Sequence, residues 1–382
     1  MKRASILAVY ILAVASLGFA QSFIPGLLPK DPHSMGMGGS FRVFATGYDA
    51  FFGNPAGFSG PASLTLADIA AWAYFEPYPK NIADIVAIAE GEFTQEEYAQ
   101  FLGIRIADND FGAGASLGLG WSGLGFGMGL TLVSDSVVRG QTWEDSKIVF
   151  CNQLDGIIGA AWPLRLGAFS FTFGFNVRAF YRLDSKTPWN FPALADGFLQ
   201  NNDFMGLFKA QNLRGGYGVA VDSGAILTLG PLSAGVMIRD YGYKFYMGDA
   251  TVGEIIEETL PPLGGTFVYA LIPTYTVGLK AVLVDTYKTF AVVYAEVDDP
   301  VSFAAMLKVD PEAAFLSAHY GAELEMSRFL SLRTGYNQGR LSLGLGFDFS
   351  LIEVDAAIFS EPSPLLPSGS RTGVSIQTAL RF

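Results

Sequence analysis

The sequence predicts an all-β protein, a transmembrane antiparallel β-barrel of about 14 strands with an N-terminal hatch in the lumen and short helices in the extracellular loops. Half of the residues are hydrophobic and the mean hydropathy is +0.33. Yet beyond residue 20 the sequence contains no apolar run of the roughly 18 residues that a spanning helix needs. Long stretches instead alternate between apolar and polar residues. A closed barrel accommodates both facts, because lipid covers one face of each strand and all backbone groups pair between strands.

The first 20 residues have the features of a secretory signal peptide. A basic start at residues 1–3 precedes the apolar run Ala4–Phe19, and the small residues Gly18 and Ala20 precede a predicted cleavage site before Gln21. No cysteine lies near this site, which argues against lipid attachment there. We therefore predict that residues 1–20 are a signal peptide that is removed.

The rest of the chain divides into a predicted hatch and a predicted barrel. Residues 21–62 are dense in glycine, proline and methionine and contain no long alternating stretch, which predicts the hatch. Alternation continues through residues 63–382, the predicted barrel, although counts of 12 or 16 strands remain open. The predicted strands are Ser63–Phe75, Phe111–Trp121, Gly123–Val137, Ile148–Ala161, Ala168–Leu183, Gly215–Leu229, Pro231–Tyr243, Thr266–Leu283, Tyr287–Asp298, Phe315–Met326, Arg328–Asn337, Arg340–Phe349, Leu351–Ser360 and Arg371–Phe382.

The last strand also indicates where the protein is located. Its apolar face carries Val374, Ile376, Leu380 and the terminal Phe382, and its other face is mostly polar. A chain that stops on an aromatic residue in such a strand resembles the C-terminal signal of bacterial outer-membrane barrels. The resemblance implies the bacterial outer membrane as the location, with the lipid bilayer and the outer-membrane assembly machinery as partners.

The connections between the predicted strands alternate between short and long. Short turns are typical of the periplasmic side of such barrels and long loops of the extracellular side. The predicted long loops are Glu76–Asp110, Asp184–Arg214, Lys244–Gly265 and Asp299–Ala314. Within them, Phe93–Ile104, Phe191–Leu213 and Thr251–Leu260 have helix-like sequences.

Several classes of function are disfavoured by composition and spacing. A net charge of −12 argues against nucleic acid as a partner, since its binding needs a basic surface. Cys151 is the only cysteine, so an intrachain disulfide is impossible, and the sequence shows no metal-ligand spacing. We expect no metal, no cofactor and no catalytic site, and hence no enzyme.

Three patterns that imitate catalytic motifs have simpler explanations. A G-x-S-x-G pattern begins at Gly114 and a G-x-G-x-x-G pattern begins at Gly118, but both lie in alternating strands and not at a strand-to-helix turn. Such glycines leave room for a plug or a bend. Ser317 and His319 share a strand face, so a barrel enzyme that hydrolyses lipids remains a less favoured alternative.

Charged residues on the polar strand faces must point into the lumen, because a charge facing lipid costs several kcal/mol. Both signs occur, which favours pairs that cross strands and anchor the hatch over a charge-selective pore lining. These residues are Arg178, Arg182, Asp222, Arg239, Arg333, Asp348, Glu353, Asp355 and Arg381.

The segment Met35–Gly60, which contains Asn54-Pro55-Ala56-Gly57, resembles the plug of FadL-type long-chain fatty acid transporters. It is also similar to the related PorV/PorQ proteins and to FadL-like proteins of spirochaetes, and Gly321–Phe347 resembles the late hairpins of the same group. The resemblance implies a barrel of 14 strands closed by the hatch. It further implies capture of an apolar ligand among the third and fourth extracellular loops, which correspond here to Asp184–Arg214 and Lys244–Gly265, and sideways release at a kinked third strand. The glycines of the third predicted strand would permit such a kink.

Taken together, these patterns predict an outer-membrane channel or transporter that binds and passes hydrophobic molecules such as long-chain fatty acids. The alternative is a barrel that serves protein secretion or surface attachment, as PorV does. The predicted ligand-binding residues are Phe191, Phe198, Phe204, Met205 and Phe208. The predicted hatch or gate residues are Phe51, Phe52, Asn54 and Pro55.

Overall fold

The computed structural model describes residues 22–75, 97, 111–140, 142–199, 204–257, 267–362 and 370–382. A closed antiparallel barrel of 14 strands encloses the N-terminal segment, which confirms the predicted fold class. Strand β14 closes the barrel by pairing with β1 from Gly373 opposite Tyr74 to Arg381 opposite Thr65. The wall strands are β1 Ser63–Tyr74, β2 Gly112–Gly123, β3 Phe126–Arg139, β4 Lys147–Leu166, β5 Phe169–Ser185, β6 Asn212–Leu229, β7 Leu232–Gly242, β8 Thr274–Asp285, β9 Thr289–Asp298, β10 His319–Met326, β11 Leu330–Asn337, β12 Arg340–Asp348, β13 Ile352–Pro362 and β14 Ser370–Arg381.

Each predicted strand has a counterpart in the wall, but some ends were wrong. Strand β4 continues beyond Ala161 to Leu166, so the turn expected at residues 162–167 shrinks to Gly167 and Ala168. The alternation explains the extension, because Trp162, Leu164 and Leu166 remain exposed on the outer face. The proline at position 163 lies near the strand end, where one missing backbone donor is tolerated.

The predicted eighth strand, Thr266–Leu283, is interrupted. Residues Phe267–Leu271 form a separate short strand, and Pro273, which has no N–H to donate, precedes β8. The short strand pairs antiparallel with Phe245–Thr251, a continuation of the β7 hairpin arm, and parallel with the N-terminal strand Ser22–Ile24. The N-terminal strand therefore adds to the sheet beside Phe267–Leu271, the short strand that precedes β8.

The helices lie in the hatch and in the long loops. Their bounds are α1 Pro32–Gly36, α2 Phe191–Leu199, α3 Phe204–Lys209, α4 Val252–Ile256, α5 Pro300–Val309 and α6 Pro311–Leu316. Helices α2 to α4 confirm the predictions for 191–213 and 251–260, and Thr251 begins α4 with a capping box to Glu254.

Two predictions about the long loops turn out differently. The helical hairpin α5–α6 was not predicted, and it delays β10, which starts at His319 and not at Phe315. The helix predicted at Phe93–Ile104 lies outside the described residues, apart from Glu97. Within the described ranges, none of the helices has the length and apolar character needed to cross a membrane.

The two rims of the barrel differ in connection length, and aromatic side chains ring the wall near each. Two- or three-residue turns such as Gly230-Pro231 join the strands at one rim, which is the periplasmic rim by the usual rule. Outward aromatics near this rim are Trp121, Phe126, Trp162, Phe169, Tyr287, Phe329, Phe349 and Phe382. Outward tyrosines toward the long-loop rim are Tyr181, Tyr217, Tyr246, Tyr275, Tyr320 and Tyr336. Two such girdles are typical of barrels that span a bilayer.

The hatch, residues 22–62, crosses the lumen and touches the wall around its circumference. Helix α1 packs against β11 to β14, and a 3₁₀ turn at Arg42–Phe44 packs against β6 to β8. A second 3₁₀ turn, Gly47–Phe51, contacts β1 and β2, and a third, Pro55–Ser59, contacts β2 to β6. The main apolar cores of the molecule lie between this segment and the wall.

Candidate functional sites in the hatch and at the long-loop rim

The hatch fits into the lumen because the wall carries glycine where the two meet. A Cβ atom at Gly174 would lie 2.4 Å from the backbone nitrogen of Ala56, and one at Gly335 would lie 2.0 Å from the carbonyl carbon of Met37. The lumen-facing glycines against hatch atoms are Gly118, Gly120, Gly127, Gly129, Gly159, Gly174, Gly224, Gly235, Gly278, Gly321, Gly335 and Gly344. These glycines form a seat for the hatch, which confirms the structural interpretation of the glycine patterns in β2.

Asn54 fixes the hatch to the wall from a fully buried position. Its Oδ1 accepts a hydrogen bond from the backbone N–H of Ala56 (2.9 Å). Its Nδ2 donates to the carbonyl of Val43 in the hatch (3.0 Å) and to the carbonyl of Val236 in β7 (3.2 Å). The extended conformation of Asn54 is the one expected before a proline. One amide thus stabilises the turn at Pro55, joins two hatch segments and connects both to the barrel.

The other predicted gate residues lie around this turn. Phe51 is fully buried, with its ring edge-on to Tyr48 at 5.5 Å, and it lies between the wall glycines and Phe58. Phe52 is half-buried with its ring 5.8 Å from Tyr48, and Pro55 is buried at the start of the third 3₁₀ turn. The structure brings all four residues into the hatch core, while their role as a gate stays a prediction.

A buried ionic cluster lies on the lumen face of strands β4 to β7. Arg178 faces three carboxylates: Asp155 at 3.3 Å, Asp222 at 3.5 Å and Asp240, which accepts a hydrogen bond from Nη2. Arg239 lies 3.8 Å from Asp240 and donates to a hatch carbonyl, that of Phe51, at 3.4 Å. Of the predicted inward charges, Arg178 therefore pairs across strands with Asp222, and Arg239 contacts the hatch, as expected.

More ion pairs connect the hatch with the wall nearer the periplasmic rim. Arg381 of β14 lies 2.9 Å from Asp68 of β1 and 4.0 Å from Asp49 of the hatch. Arg333 of β11 lies 2.8 Å from Glu323 of β10 and is also hydrogen-bonded to Asp355. This network borders a polar cavity of about 460 Å³ that lies between the hatch and the periplasmic rim.

His33 of the hatch lies between carboxylates of the hatch and of the wall. Its Nδ1 is 3.1 Å from Asp49, and its Nε2 is 3.6 Å from Glu323. Burial lowers the pKa of this imidazole, and so does Arg333, but the two carboxylates outweigh both and raise the pKa to about 9. At neutral pH the ring therefore carries a positive charge that attaches the hatch to β10.

The long-loop rim holds the predicted ligand-binding residues, and the structure separates them. Phe191 and Phe208 are half-buried against an apolar cluster around Trp189, with the Phe208 ring 6.0 Å from that indole. Met205 is 53% exposed and lies at the start of α3, close to the exposed Leu207. The side chains of Phe198 and Phe204 lie outside the described residues. The described part of this surface thus combines a packed aromatic base with exposed aliphatic side chains.

The third strand pairs without interruption with both neighbours. Its register runs from Phe126 opposite Gly123 to Val137 opposite Gly112 on β2, and without a shift from Phe126 to Arg139 along β4. Irregular pairing occurs instead near Leu66 of β1, between β6 and β7, and between β8 and β9. The break in pairing that a sideways opening would need is therefore not present in β3.

The serine and histidine of the alternative enzyme hypothesis point to different partners. Ser317 Oγ donates to the carbonyl of Ala314 at 2.7 Å at the end of α6. The ring of His319 lies 3.0 Å from the carbonyl of Gly38 and 3.4 Å from Asp298. Among the residues that the structure describes, no group of histidine, cysteine and carboxylate side chains could hold a metal.

Sequence reasoning missed Tyr48, Asp155 and Asp240 as lumen residues. Asp155 alternates with the outward Leu154 and could have been assigned from the pattern. Asp240 could not have been assigned in this way, because it directly follows the inward-facing Arg239. Its side chain also faces the lumen only because its backbone is left-handed, with φ 61°. A pattern of period two has no signal for such a reversal.

No protein-family model and no curated protein matches the sequence. Solved structures do match in shape. CymD, a monoaromatic hydrocarbon channel, has 12% identity and a TM-score of 0.50, and the match covers 94% of this chain and 99% of CymD. TodX, the toluene transporter of Pseudomonas putida, has 11% identity, a TM-score of 0.49 and coverage of 94% and 99%. A FadL homologue of Pseudomonas aeruginosa has 12% identity, a TM-score of 0.40 and coverage of 94% and 99%.

The match to CymD spans almost the whole of both chains. At this identity the likeness concerns the fold and not the cargo. The chain therefore shares the fold of CymD, and in its own structure a barrel of 14 antiparallel strands surrounds an N-terminal hatch.

Proposed function

We propose that this protein is an outer-membrane channel that binds hydrophobic molecules, long-chain fatty acids among them, at its long-loop rim and passes them through the barrel. The observation that supports this best is the filled lumen. Twelve wall glycines are in close contact with the hatch, and the cavity that the hatch shares with Asp68, Ser116 and Gln377 of the wall measures only about 20 Å³, while the larger polar cavity of about 460 Å³ lies between the hatch and the short-turn rim. Free diffusion of polar solutes does not fit such a lumen, whereas selective capture followed by movement of the hatch does.

The long-loop rim supplies the apolar surface that capture requires. Met205, Leu207 and Ile256 are exposed there above the aromatic cluster. Burial of such side chains against an apolar ligand is favourable by roughly 25 cal/mol per Å² of surface removed from water. Capture and passage of a ligand need neither a cofactor nor a chemical reaction, so in this proposal the protein is not an enzyme.

The substrate class can be tested with two kinds of ligand. CymD is described as a channel for monoaromatic hydrocarbons, which are uncharged, whereas a fatty acid carries a carboxylate. We expect the purified protein to bind a fluorescent long-chain fatty acid. The Met205→Ser, Leu207→Ser double variant should bind it at least about tenfold more weakly, because two apolar contacts are lost. Val309→Ser, at a more exposed apolar residue of another loop, serves as the control.

Fatty acid binding that is unchanged in the double variant would place the binding site elsewhere. Binding of toluene without binding of fatty acid would retain the channel and correct its substrate. Failure of both ligands, with a protein recovered in stoichiometric amount by mass spectrometry of the detergent extract, would favour the alternative of protein secretion or surface attachment as in PorV. That alternative uses the same exposed rim, which can hold a protein segment as well as a lipid.

The location follows the same proposal. We propose that residues 1–20 are removed, that the terminal Phe382 is recognised by the outer-membrane assembly machinery, and that the barrel lies in the outer membrane. N-terminal sequencing of the protein extracted from outer membranes is expected to begin at Gln21. A start at Met1 would contradict the signal-peptide prediction.

A further inference from the structure

We propose that the helical hairpin Pro300–Leu316, formed by α5 and α6 between β9 and β10, lies in the outer leaflet of the membrane and anchors this side of the barrel mouth to lipid. The inference concerns a lipid contact outside the barrel wall. It does not depend on what the channel carries.

The hairpin exposes apolar side chains on all sides. Helix α5 contains no buried residue, and its sequence PVSFAAMLKV is apolar apart from Ser302 and Lys308. Val309 is 87% exposed, Val301 is 63% exposed and Phe315 of α6 is 57% exposed. A helix that is apolar all round is normally found in a protein core or in a membrane.

The hairpin begins and ends at the tyrosine girdle. The N–H of Asp299, the residue that caps α5, donates to the carbonyl of Tyr275 at 2.9 Å. The hydroxyl of Tyr320 donates to the carbonyl of Phe315, the fifth residue of α6, at 3.1 Å. Outward tyrosines in a barrel lie at the level of the lipid headgroups, so both ends of the hairpin are held at that level.

The lipid-facing wall continues directly below the hairpin. An apolar groove of about 730 Å³ runs down the outer side of β6 to β12, bordered by Leu279, Ala295, Tyr320 and Leu341. Tyr320 borders this groove and also donates to the hairpin, so the apolar hairpin adjoins the apolar outer side of the wall. This continuity favours the acyl chains that already cover the wall as the partner of the hairpin.

The arrangement of the polar groups agrees with an interfacial position. Asp299 and Asp310 are N-caps of the two helices, and their carboxylates accept hydrogen bonds from Ser302 N (3.1 Å) and Ala313 N (3.0 Å). Backbone donors at the helix starts are therefore satisfied without water. A protein partner would cover only one face of each helix, whereas fluid lipid can surround each helix on all of its exposed sides.

The test measures which solvent surrounds the hairpin. A single cysteine is placed at position 309 by Val309→Cys, or at an exposed polar residue of the connection between β3 and β4 by Glu144→Cys, in a Cys151→Ala background. Each variant is labelled with an environment-sensitive fluorophore and reconstituted as the full chain into liposomes that contain lipids with a spin label near the headgroup. Heat-modifiable gel migration verifies that the barrels are folded.

We expect the label at 309 to be quenched by the spin-labelled lipid at least about twofold more than the label at 144, and to be protected from aqueous iodide. Quenching of the 309 label by iodide and not by lipid would overturn the proposal, since the hairpin would then lie in water. Protection from both quenchers would also overturn it, because a second copy of the chain would then cover the hairpin.

Discussion

At the scale of single residues, the hatch is held by side chains that each serve several backbone groups. Asn54 is the clearest case, because it serves one backbone donor and two backbone acceptors from a fully buried position. Leaving a buried polar group without a partner costs more than a hydrogen bond contributes on average. The stability of the hatch should therefore depend on this amide more strongly than the small size of the side chain suggests.

We predict that Asn54→Ala lowers the free energy of unfolding by about 2 kcal/mol or more, because Val43 O, Val236 O and Ala56 N each lose a buried hydrogen bond. Urea unfolding of the detergent-solubilised barrel measures the change. Ser59→Ala is the matched control, since Ser59 Oγ donates only one bond, to Ala56 O, at a partly buried position. Equal losses in the two variants would contradict the special role of Asn54.

A second prediction at this scale concerns His33. Its folded pKa of about 9 lies above the ordinary value of 6.5, so protonation stabilises the folded hatch. That contribution is fully present below pH 6.5 and is lost as the pH rises through about 9. We expect a histidine ring resonance that titrates near pH 9 and disappears in His33→Gln, and a stability of His33→Gln that varies less between pH 6.5 and 9. A ring that titrates at or below 6.5 would disprove the charged pairing.

At the scale of elements, the wall is built with two faces that have different tolerances. The lumen-facing Gly174 and Gly335 are in contact with hatch backbone, whereas Gly156 of β4 faces outward, and a Cβ atom there would meet its nearest atom, a side-chain methyl of Leu130, at 3.6 Å. Backbone cannot move aside as a flexible side chain can. A glycine-to-alanine substitution should therefore disturb the hatch on the lumen face and be tolerated on the outer face.

We predict that Gly335→Ala displaces the hatch, because the new Cβ would lie 2.0 Å from Met37 C, while Gly156→Ala leaves the barrel intact. Planar-bilayer recordings should show larger or more frequent openings for Gly335→Ala than for the unmodified protein. Limited proteolysis should cut its hatch faster. Identical behaviour of the two alanine variants would mean that the hatch does not rest on the wall as described.

The strands could be predicted from the sequence because lipid and lumen impose a strict period of two on each segment. The failures occur where another force acts. Pro273 interrupts the arm before β8, and the α5–α6 hairpin could not be predicted because its uniform apolar composition has no period. The gate residues near Asn54 could be named from a resemblance, but the glycines that receive them could not, because those contacts join strands far apart in sequence.

At the scale of the whole molecule, ionic groups connect strands that apolar packing alone does not. The cluster around Arg178 joins β4, β5, β6 and β7 and also reaches the hatch through Arg239. It contains two arginines and three aspartates, all nearly inaccessible to solvent. Buried charges of this kind contribute little over an apolar replacement of the whole set, yet removal of one member leaves the others uncompensated.

We therefore predict that Arg178→Met destabilises the folded barrel by about 3–5 kcal/mol, since three buried carboxylates would share the single charge of Arg239. Lys186→Met is the control, because the Lys186–Asp249 pair (2.7 Å) is about one-third exposed and such pairs are worth roughly 0–1 kcal/mol. Adding Asp222→Asn and Asp240→Asn to Arg178→Met removes two of the uncompensated charges and should recover part of the loss. Urea unfolding of the four proteins in detergent separates the outcomes. If the triple variant were less stable than Arg178→Met, the cluster would stabilise the barrel through its hydrogen bonds and not through its balance of charge.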